Sequence, residues 1–213
     1  MPLEYSGMSG WGFWVDPNLS KPDGIVEYWG KGKFIGIWPT KGRLSVFTSV
    51  KMPENNEDPL GSRIDRIKEC FKDFGGVVPE MLEQLTDPNE IYYDTYNDLQ
   101  MDSWSKGRVV LVGDSAHAIL PNAGAGVSMA MESAAVIAEE LCRADSKYIV
   151  HALKQYETRR KPRVKKIQGQ SRMMGKLVYS NSSVLSTIRD YVLKVYSKDL
   201  VYKYWDNVLK DPI

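Results

Sequence analysis

Residues 108–126 read RVVLVGDSAHAILPNAGAG, and this stretch predicts how the surrounding chain is organised. Val109–Val112 is an apolar run too short for a helix, which predicts a central strand covered on both faces. The strand ends at Gly113, where the missing Cβ lets a ligand approach the backbone closely. A Pro/Gly loop follows, and a helix is expected to begin near Val127. A strand, a glycine turn and a helix N-terminus together favour an electron-rich, polyhydroxylated ligand.

Eight residues of this stretch are candidates for contact with such a ligand. Asp114 carries an acceptor-only carboxylate, which suits sugar or ribityl hydroxyls. The backbone N–H groups of the loop and the positive end of the following helix suit a carbonyl or an anionic ring nitrogen. The predicted cofactor-binding residues are Gly113, Asp114, Pro121, Asn122, Gly124, Ala125, Gly126 and Val127.

Two motifs resemble one known family. GDSAHA at 113–118, Pro121-Asn122, GAG at 124–126 and SMAMES at 128–133 resemble the second FAD fingerprint of the class A flavin monooxygenases. This is the aromatic hydroxylase family typified by para-hydroxybenzoate hydroxylase. A second stretch, QYETRRKPR at 155–163 followed by Gln168, Ser171 and Gly175, resembles the long helix that follows this fingerprint in many members.

The resemblance implies a cofactor and a reaction. In this family FAD is reduced by NADH or NADPH and reacts with O₂ to form a flavin hydroperoxide, which transfers one oxygen atom to a substrate. The chain is therefore expected to act on an aromatic or other apolar small molecule. Such chemistry belongs to the cofactor, so no side chain is assigned a catalytic role and no metal is expected. The two histidines, His117 and His151, have no partner at catalytic spacing.

Two residues near the fingerprint are expected to have structural roles. His117 is predicted to bond a backbone carbonyl and so to hold the loop. Glu132 is predicted to bond a neighbouring backbone group rather than the flavin.

One element of the family pattern does not occur in the chain. Members open with a strand, a Gly-x-Gly-x-x-Gly turn and a helix, which bind the ADP half of FAD. Here Gly30-x-Gly32 reaches its next glycine only at Gly36, one residue too late, and β-like sequence follows. The chain is therefore expected to be the C-terminal part of a flavoprotein. A fragment, a gene start placed late and a first half on a separate polypeptide all remain open.

The expected fold class is α/β (α+β) with three regions. Residues 1–101 form a substrate-domain-like antiparallel sheet with an amphipathic helix, residues 102–145 the second half of an FAD-binding domain, and residues 146–213 a helical region. Strands are predicted around 10–15, 25–29, 33–38, 43–50 and 90–99, with Lys41-Gly42 as a hairpin turn. Helices are predicted at 62–74, 79–85, 147–178 and 183–209, the third with a kink or break at Pro162.

Side-chain faces follow from these periods. Ser45, Phe47 and Ser49 share one strand face, which suits a small-molecule pocket. Phe47, Trp38 and Trp11 are the substrate-pocket candidates. Two larger sets concern helices. The face expected to pack on the sheet comprises Val127, Ala130, Met131, Ala134, Ile137, Ala138 and Leu141, and the cluster expected to be a solvated face comprises Arg159, Arg160, Lys161, Arg163, Lys165 and Lys166.

Composition excludes several partners. The chain has 213 residues and a formal charge of +1, so no long-range field would recruit nucleic acid or acidic membranes. No apolar run approaches the ~18 residues that a membrane span requires. Cys70 and Cys142 lack metal-ligand spacing and are expected to be reduced thiols, which favours a cytoplasmic setting.

Two alternatives to a monooxygenase remain, one an enzyme of another kind and one a protein without catalytic activity. A flavin-dependent prenyl reductase shares the fingerprint, whereas the halogenase tryptophan signature is not seen, because two residues separate Trp11 and Trp14. A non-catalytic fragment or partner subunit, lacking the ADP-binding half, is the alternative outside enzymes. Expected partners are a small apolar substrate and either a separate N-terminal FAD-binding half or a second copy of the chain.

Overall fold

A computed structural model describes residues 3–17 and 24–209 of the chain. Its elements, in chain order, are β1 (Glu4–Val15), β2 (Val26–Trp29), β3 (Lys33–Thr40), β4 (Arg43–Lys51), α1 (Arg63–Phe71), α2 (Val78–Glu83), β5 (Tyr92–Asp98), β6 (Ser105–Lys106), β7 (Val109–Val110), α3 (Asp114–His117), α4 (Gly126–Cys142), α5 (Ile149–Val178) and α6 (Ser183–Leu209). The expected class, a mixed α/β fold with an antiparallel sheet and C-terminal helices, is confirmed.

The chain divides into two compact units. The first, here called the sheet unit, comprises Gly7–Tyr96 and Val178–Ser186. The second, here called the helical unit, consists mainly of Asn97–Leu177 and the chain from Thr187 onward. Among the described residues, none of the helices combines the length and the apolar character needed to cross a bilayer.

The sheet unit is built on five strands in the order β2-β3-β4-β1-β5. Along β3 and β4 side chains alternate, and Ile35, Ile37, Leu44 and Val46 lie on the face that forms the core. Helices α1 and α2 contribute buried residues to the same core, for example Phe71. Burying each such side chain stabilises the fold by roughly 1.5–3 kcal/mol relative to leaving it exposed. The period-two pattern of these strands therefore separates a core face from an opposite face that carries Phe47.

One glycine turn lies at the predicted position, Lys41-Gly42, and a second follows α1. Thr40 pairs with Arg43 across Lys41-Gly42, and Gly42 has a φ of 78°. Helix α1 ends at Phe71, and Gly76 beyond it has a φ of 66°. Positive φ carries little steric penalty for glycine, so both positions suit this residue.

Of the kink or break expected in helix α5 at Pro162, the break does not occur. The helix runs from Ile149 to Val178 without a break. Val164 and Ile167, just after the proline, are almost completely buried in the core of the helical unit. Tertiary packing of this face offsets the cost of an internal proline, which is about 3 kcal/mol.

The expected central strand at Val109–Val112 is wrong. Only Val109 and Val110 form a strand, which pairs with Ser105–Lys106, and the Val109 side chain is 68% exposed. A central strand needs a neighbour on each side, and within the described residues β7 has β6 alone.

The predicted buried face of α4 is also wrong, except at Ile137. The buried residues of this helix are Met129, Ser133, Val136 and Ile137. Helix α5 presents a guanidinium to this side of α4, so a serine hydroxyl faces inward and the more apolar side faces out. We call the exposed residues Val127, Met131, Ala134, Ala138 and Leu141 the α4 stripe.

Candidate functional site

The fingerprint turn is centred on Gly113. This residue has φ 66° and ψ −144°, a combination that only glycine adopts without strain. Its carbonyl accepts hydrogen bonds from the N–H groups of Ala116 and His117, both at 2.9 Å. A Cβ at position 113 would lie 3.3 Å from the Cβ of Ala130, so the turn approaches α4 closely.

An open cavity of about 550 Å³ lies beside this turn. Its volume falls in the range of small-molecule sites, which is roughly 300–1,000 Å³. The lining residues are Asp114, Ile119, Pro121, Gly124, Ala125, Gly126, Val127, Ala130 and Met131. The structure thus brings six of the eight predicted cofactor residues together. Gly113 does not line the cavity, and neither does Asn122, whose amide nitrogen lies 3.4 Å from the Ser171 carbonyl.

The N-terminus of α4 opens onto this cavity without a side-chain cap. Its N-cap residue is Ala125, which cannot accept a hydrogen bond through its side chain. The first hydrogen bond of the helix joins Met129 N–H to Ala125 O at 2.9 Å. The amides of Gly126, Val127 and Ser128 precede that bond and therefore have no acceptor within the helix.

Asp114 adds an acceptor to these donors. Its side chain is exposed and lines the cavity. Within the described part of the chain, its carboxylate accepts no side-chain hydrogen bond. The site therefore combines free amide donors, one free carboxylate and an apolar wall formed by Ile119, Val127 and Met131.

Beneath this loop, a buried ionic cluster joins α4 to α5. The Arg160 side chain is fully buried, and its Nη1 donates to Glu132 Oε2 at 2.8 Å. Arg163 binds the same carboxylate with two hydrogen bonds of 2.7 Å. Burial raises the pKa of Glu132, but the hydrogen bonds and charges of Arg163 and Arg160 outweigh it and hold that pKa below its usual value.

Two expectations are corrected by this cluster. The solvated face predicted for the basic residues is wrong for Arg160 and Arg163, because a carboxylate on the neighbouring helix pairs with both. Glu132 bonds these guanidiniums rather than a backbone group.

His117 links the fingerprint turn to the same cluster. Its Nε2 lies 3.0 Å from Ser133 Oγ, so the expected bond to a backbone carbonyl is replaced by one to a hydroxyl. Ser133 Oγ also accepts a hydrogen bond from Arg160 Nε at 3.2 Å. Burial lowers the pKa of His117, and the charge of Arg160 acts in the same direction. The ring is therefore neutral at pH 7, and it connects the fingerprint turn to Ser133 of α4.

A second buried carboxylate, Glu157, ties α5 to the segment before the fingerprint. It accepts hydrogen bonds from Ser103 at 3.2 Å and from Ser105, and it pairs with Lys161 at 2.5 Å and Lys154 at 3.1 Å. Burial raises its pKa, but these donors outweigh burial and hold the pKa far below its usual range.

The substrate-pocket candidates lie in the sheet unit, on two different faces. On the face opposite the core, Trp38 and Phe47 belong to a row of aromatic rings with Phe34 and Tyr96. Trp38 meets Phe47 edge to face at 6.3 Å, and Phe47 stacks on Tyr96 at 5.5 Å between centroids. Trp11 does not join them: it is fully buried in the core, where its Nε1 donates to Asp58 Oδ1 at 3.1 Å.

Gly36 makes room for this aromatic row. A Cβ at position 36 would lie 2.1 Å from an edge atom of the Trp38 indole and 3.0 Å from the Phe34 ring. The indole therefore occupies the volume that any other residue at position 36 would fill.

Three cavity residues were missed by the sequence reasoning. Ala130 and Met131 follow Gly126 and Val127 by one helical turn, so helical spacing was a sufficient signal for both. Ile119 carries no such signal, because it lies in an irregular loop.

No group of three or more His, Cys, Asp or Glu residues suited to a metal ion occurs in the described ranges.

A family model described as an FAD binding domain matches residues 76–171. The chain is 30% identical over 180 residues to 2-heptyl-3-hydroxy-4(1H)-quinolone synthase of Pseudomonas aeruginosa, covering 82% of this chain and 46% of that protein. It is 26% identical over 199 residues to aurachin C monooxygenase/isomerase of Stigmatella aurantiaca, covering 92% of this chain and 51% of that protein.

A solved structure shares the fold. Klebsiella pneumoniae HpxO, crystallised with FAD and uric acid, superposes with a TM-score of 0.87 at 23% identity and covers 99% of this chain and 55% of that one. At this identity the likeness concerns the fold. The chain spans about half the length of each of these three proteins.

Proposed function

Because the chain belongs to the class A flavin monooxygenases, we propose that the cavity beside Gly113 holds the flavin of an FAD-dependent hydroxylase. This chain would supply about half of that enzyme, including the second half of its FAD-binding domain. The observation that carries the proposal is the grouping of six fingerprint residues around one cavity at the uncapped N-terminus of α4.

The residues present fit this cofactor. The amides of Gly126 and Val127 would face the electron-rich pyrimidine edge of the ring, where a helix N-terminus stabilises negative charge by roughly 0.3–2 kcal/mol. The carboxylate of Asp114 would accept hydrogen bonds from ribityl hydroxyls. Ile119, Ala130 and Met131 would pack against the apolar part of the ring and exclude water.

The reaction follows from the cofactor. When bound and reduced by NADH or NADPH, FAD activates O₂ so that one oxygen atom enters the substrate and the other leaves as water. The residues of this chain would orient the ring, favour its reduced form and keep solvent from it. No side chain of the chain is required as a nucleophile.

The proposed substrate is an apolar aromatic small molecule. Support comes from the aromatic row, in which Trp38 and Phe47 lie together on one sheet face with two hydroxyl side chains, Ser45 and Ser49, on the same strand. Planar rings stack favourably on such side chains. The quinolone in the name of one relative and the uric acid in the HpxO complex are also planar ring compounds.

A further part of the proposal concerns what covers α4. The α4 stripe and Val109 leave an apolar surface exposed, with Val127 and Met131 at 77% and 69%. A surface of this kind is typical of an interface. We propose that the ADP-binding half of the FAD domain covers it, on the same polypeptide or on a separate chain. The cysteines Cys70 and Cys142 form no disulfide, which suits the proposed cytoplasmic location.

Flavin binding tests the site. Gly126 and Gly169 are both helical glycines whose added Cβ would meet no atom within 4 Å, so both tolerate a larger side chain sterically. Gly126→Leu places that side chain in the cavity, whereas Gly169→Leu places it on the exposed side of α5. In a fluorescence titration with FAD, the first variant should bind at least about tenfold more weakly than the parent and the second should not.

The titration is carried out on this chain and on the longest polypeptide that contains it. Absence of flavin from both, or equal affinity of the two glycine variants, contradicts the proposed site. In the loaded protein, the label of ¹⁸O₂ should appear in a hydroxylated aromatic product. NAD(P)H oxidation with an unlabelled, reduced product would instead indicate a reductase.

A further inference from the structure

The C-terminal half of α5 contacts the loop that borders the cavity, through side chains that the proposed function does not use. We infer that Gln168 is a positioning residue for the cofactor loop. Together with Ser171 it turns loop 118–122 so that the amide of Ile119 becomes a further donor to the bound flavin. The inference rests on the proposed function, since it names how this same site is ordered.

Gln168 joins the two chain segments on either side of the fingerprint. Its side chain is 3% exposed, and its Nε2 donates to the carbonyls of Leu99 at 2.8 Å and Ala118 at 3.0 Å. The same nitrogen lies 3.3 Å from Asp98 Oδ1. One buried carboxamide therefore fixes the end of β5 and the beginning of the cavity loop at once.

Ser171, one helical turn later, holds the next carbonyl of that loop. Its hydroxyl is fully buried and donates to Leu120 O at 2.6 Å. Two successive turns of α5 thus bind the carbonyls of Ala118 and Leu120. Asp98 also pairs with Arg172, which anchors the same end of α5 to the end of β5.

The orientation of one peptide group follows from this contact. In a planar trans peptide, the C=O of one residue and the N–H of the next point in opposite directions. Because the Ala118 carbonyl is directed to Gln168, the N–H of Ile119 is directed away from α5. Ile119 lines the cavity, and its amide donates to no other group among the described residues.

Loss of the Gln168 carboxamide would leave the Ala118 and Leu99 carbonyls without this donor. Leu99 N–H also donates to Ala118 O at 3.3 Å, which keeps the two segments near each other but does not tie them to α5. The 118–119 peptide would then be free to rotate, and the Ile119 amide would no longer be held away from α5, the orientation in which we infer that it donates to the flavin. For contacts that support the ligands of metal sites, removal weakens binding by about 10–100-fold, and we take the lower end of that range for this loop.

The matched pair Gln168→Met and Gln155→Met tests this inference. Methionine keeps the length of the side chain and removes the carboxamide, and Gln155 lies exposed on the same helix, where it contacts His151. Hydrogen–deuterium exchange should rise about tenfold in the peptide that spans 113–127 of the Gln168 variant. FAD should bind that variant about tenfold more weakly, and the Gln155 variant should match the parent in both measurements.

Ser171→Ala is a smaller change. It should also raise hydrogen–deuterium exchange in the loop and weaken FAD binding, but by less than Gln168→Met. Faster exchange across the whole protein, or faster loop exchange with unchanged FAD affinity, overturns the positioning role. A parent chain that binds no flavin contradicts the proposed function. In that case the hydrogen–deuterium exchange of the loop alone tests whether Gln168 orders the loop.

Discussion

The sheet unit and the helical unit hold their functional segments by different means. In the sheet unit, Ile35, Ile37 and Phe71 belong to an apolar core. In the helical unit, the fingerprint loop rests on buried polar groups, among them Arg160 and Gln168. Apolar packing has no direction, whereas a hydrogen bond fixes which way a peptide or a guanidinium points. A loop that must present its amides to a ligand therefore gains from buried polar support.

The largest expected effect concerns Arg160. Arg160→Met removes a fully buried guanidinium from the partly buried carboxylate of Glu132, which keeps Arg163, and the free energy of unfolding should fall by about 3 kcal/mol. Arg159→Met, which removes a partly exposed guanidinium from Glu139 and Glu140, should cost less than about 1 kcal/mol. Urea unfolding measures both. Equal losses would contradict the view that burial separates these neighbouring arginines.

The next largest effect concerns Glu157 and the dependence of stability on pH. Glu157→Gln weakens charge-assisted hydrogen bonds and should lower stability at pH 7 by about 1.5–3 kcal/mol. Because the folded state holds the pKa of Glu157 below the reference value of 4.5, its contribution is present above that pH and is lost as pH falls below it. The gap in melting temperature between parent and variant should therefore narrow between pH 7 and pH 3.

Glu69→Gln is the control for this measurement, since Glu69 forms an exposed pair with Lys72. Its replacement should change stability little at any pH. A gap for Glu157→Gln that stays constant down to pH 3 would show that its carboxylate charge is not what stabilises the helical unit.

A smaller effect is expected in the sheet unit. Ile37→Val removes one methylene from the apolar core and should cost about 0.5–1.5 kcal/mol. No titratable group takes part, so the loss should be the same at pH 7 and pH 4. A strongly pH-dependent loss would break the contrast between the two units.

The smallest effect concerns His117. Its folded pKa lies below the reference value of 6.5, so stability from the neutral ring is present above pH 6.5 and declines as pH falls below it. His117→Gln should remove this decline, a difference under about 1 kcal/mol between pH 7 and pH 6. Thermal unfolding at both pH values, with exposed His151→Gln as control, makes the comparison. A decline that persists in the variant would assign it to another group.

The sequence was sufficient for most of the fold, because each element carries a clear period. Strands β3 and β4 and helix α1 lie within a few residues of their predicted bounds. Glycine chemistry also located the Lys41-Gly42 turn. The exposed side of α4 was not predictable in the same way, because an apolar face in sequence does not say which neighbour covers it.

The loop that borders the candidate site could be predicted from the sequence. The buried side chains that support this loop could not. Gly and Pro residues of the fingerprint mark the loop, and six of the residues chosen line one cavity. The sequence did not indicate that Arg160 is buried, because an arginine side chain is mostly exposed unless it is paired. Its carboxylate partner lies on another helix. Contacts of Gln168 with Leu99 and Ala118 join distant parts of the sequence, which no local period encodes.

The Trp38 indole lies where a Cβ of residue 36 would be, so the residue types at positions 36 and 38 depend on each other. Since a Cβ at position 36 would collide with the indole, a larger residue there requires the Trp38 ring to move or a smaller side chain at position 38. Substitutions at these two positions should therefore occur as pairs among related sequences.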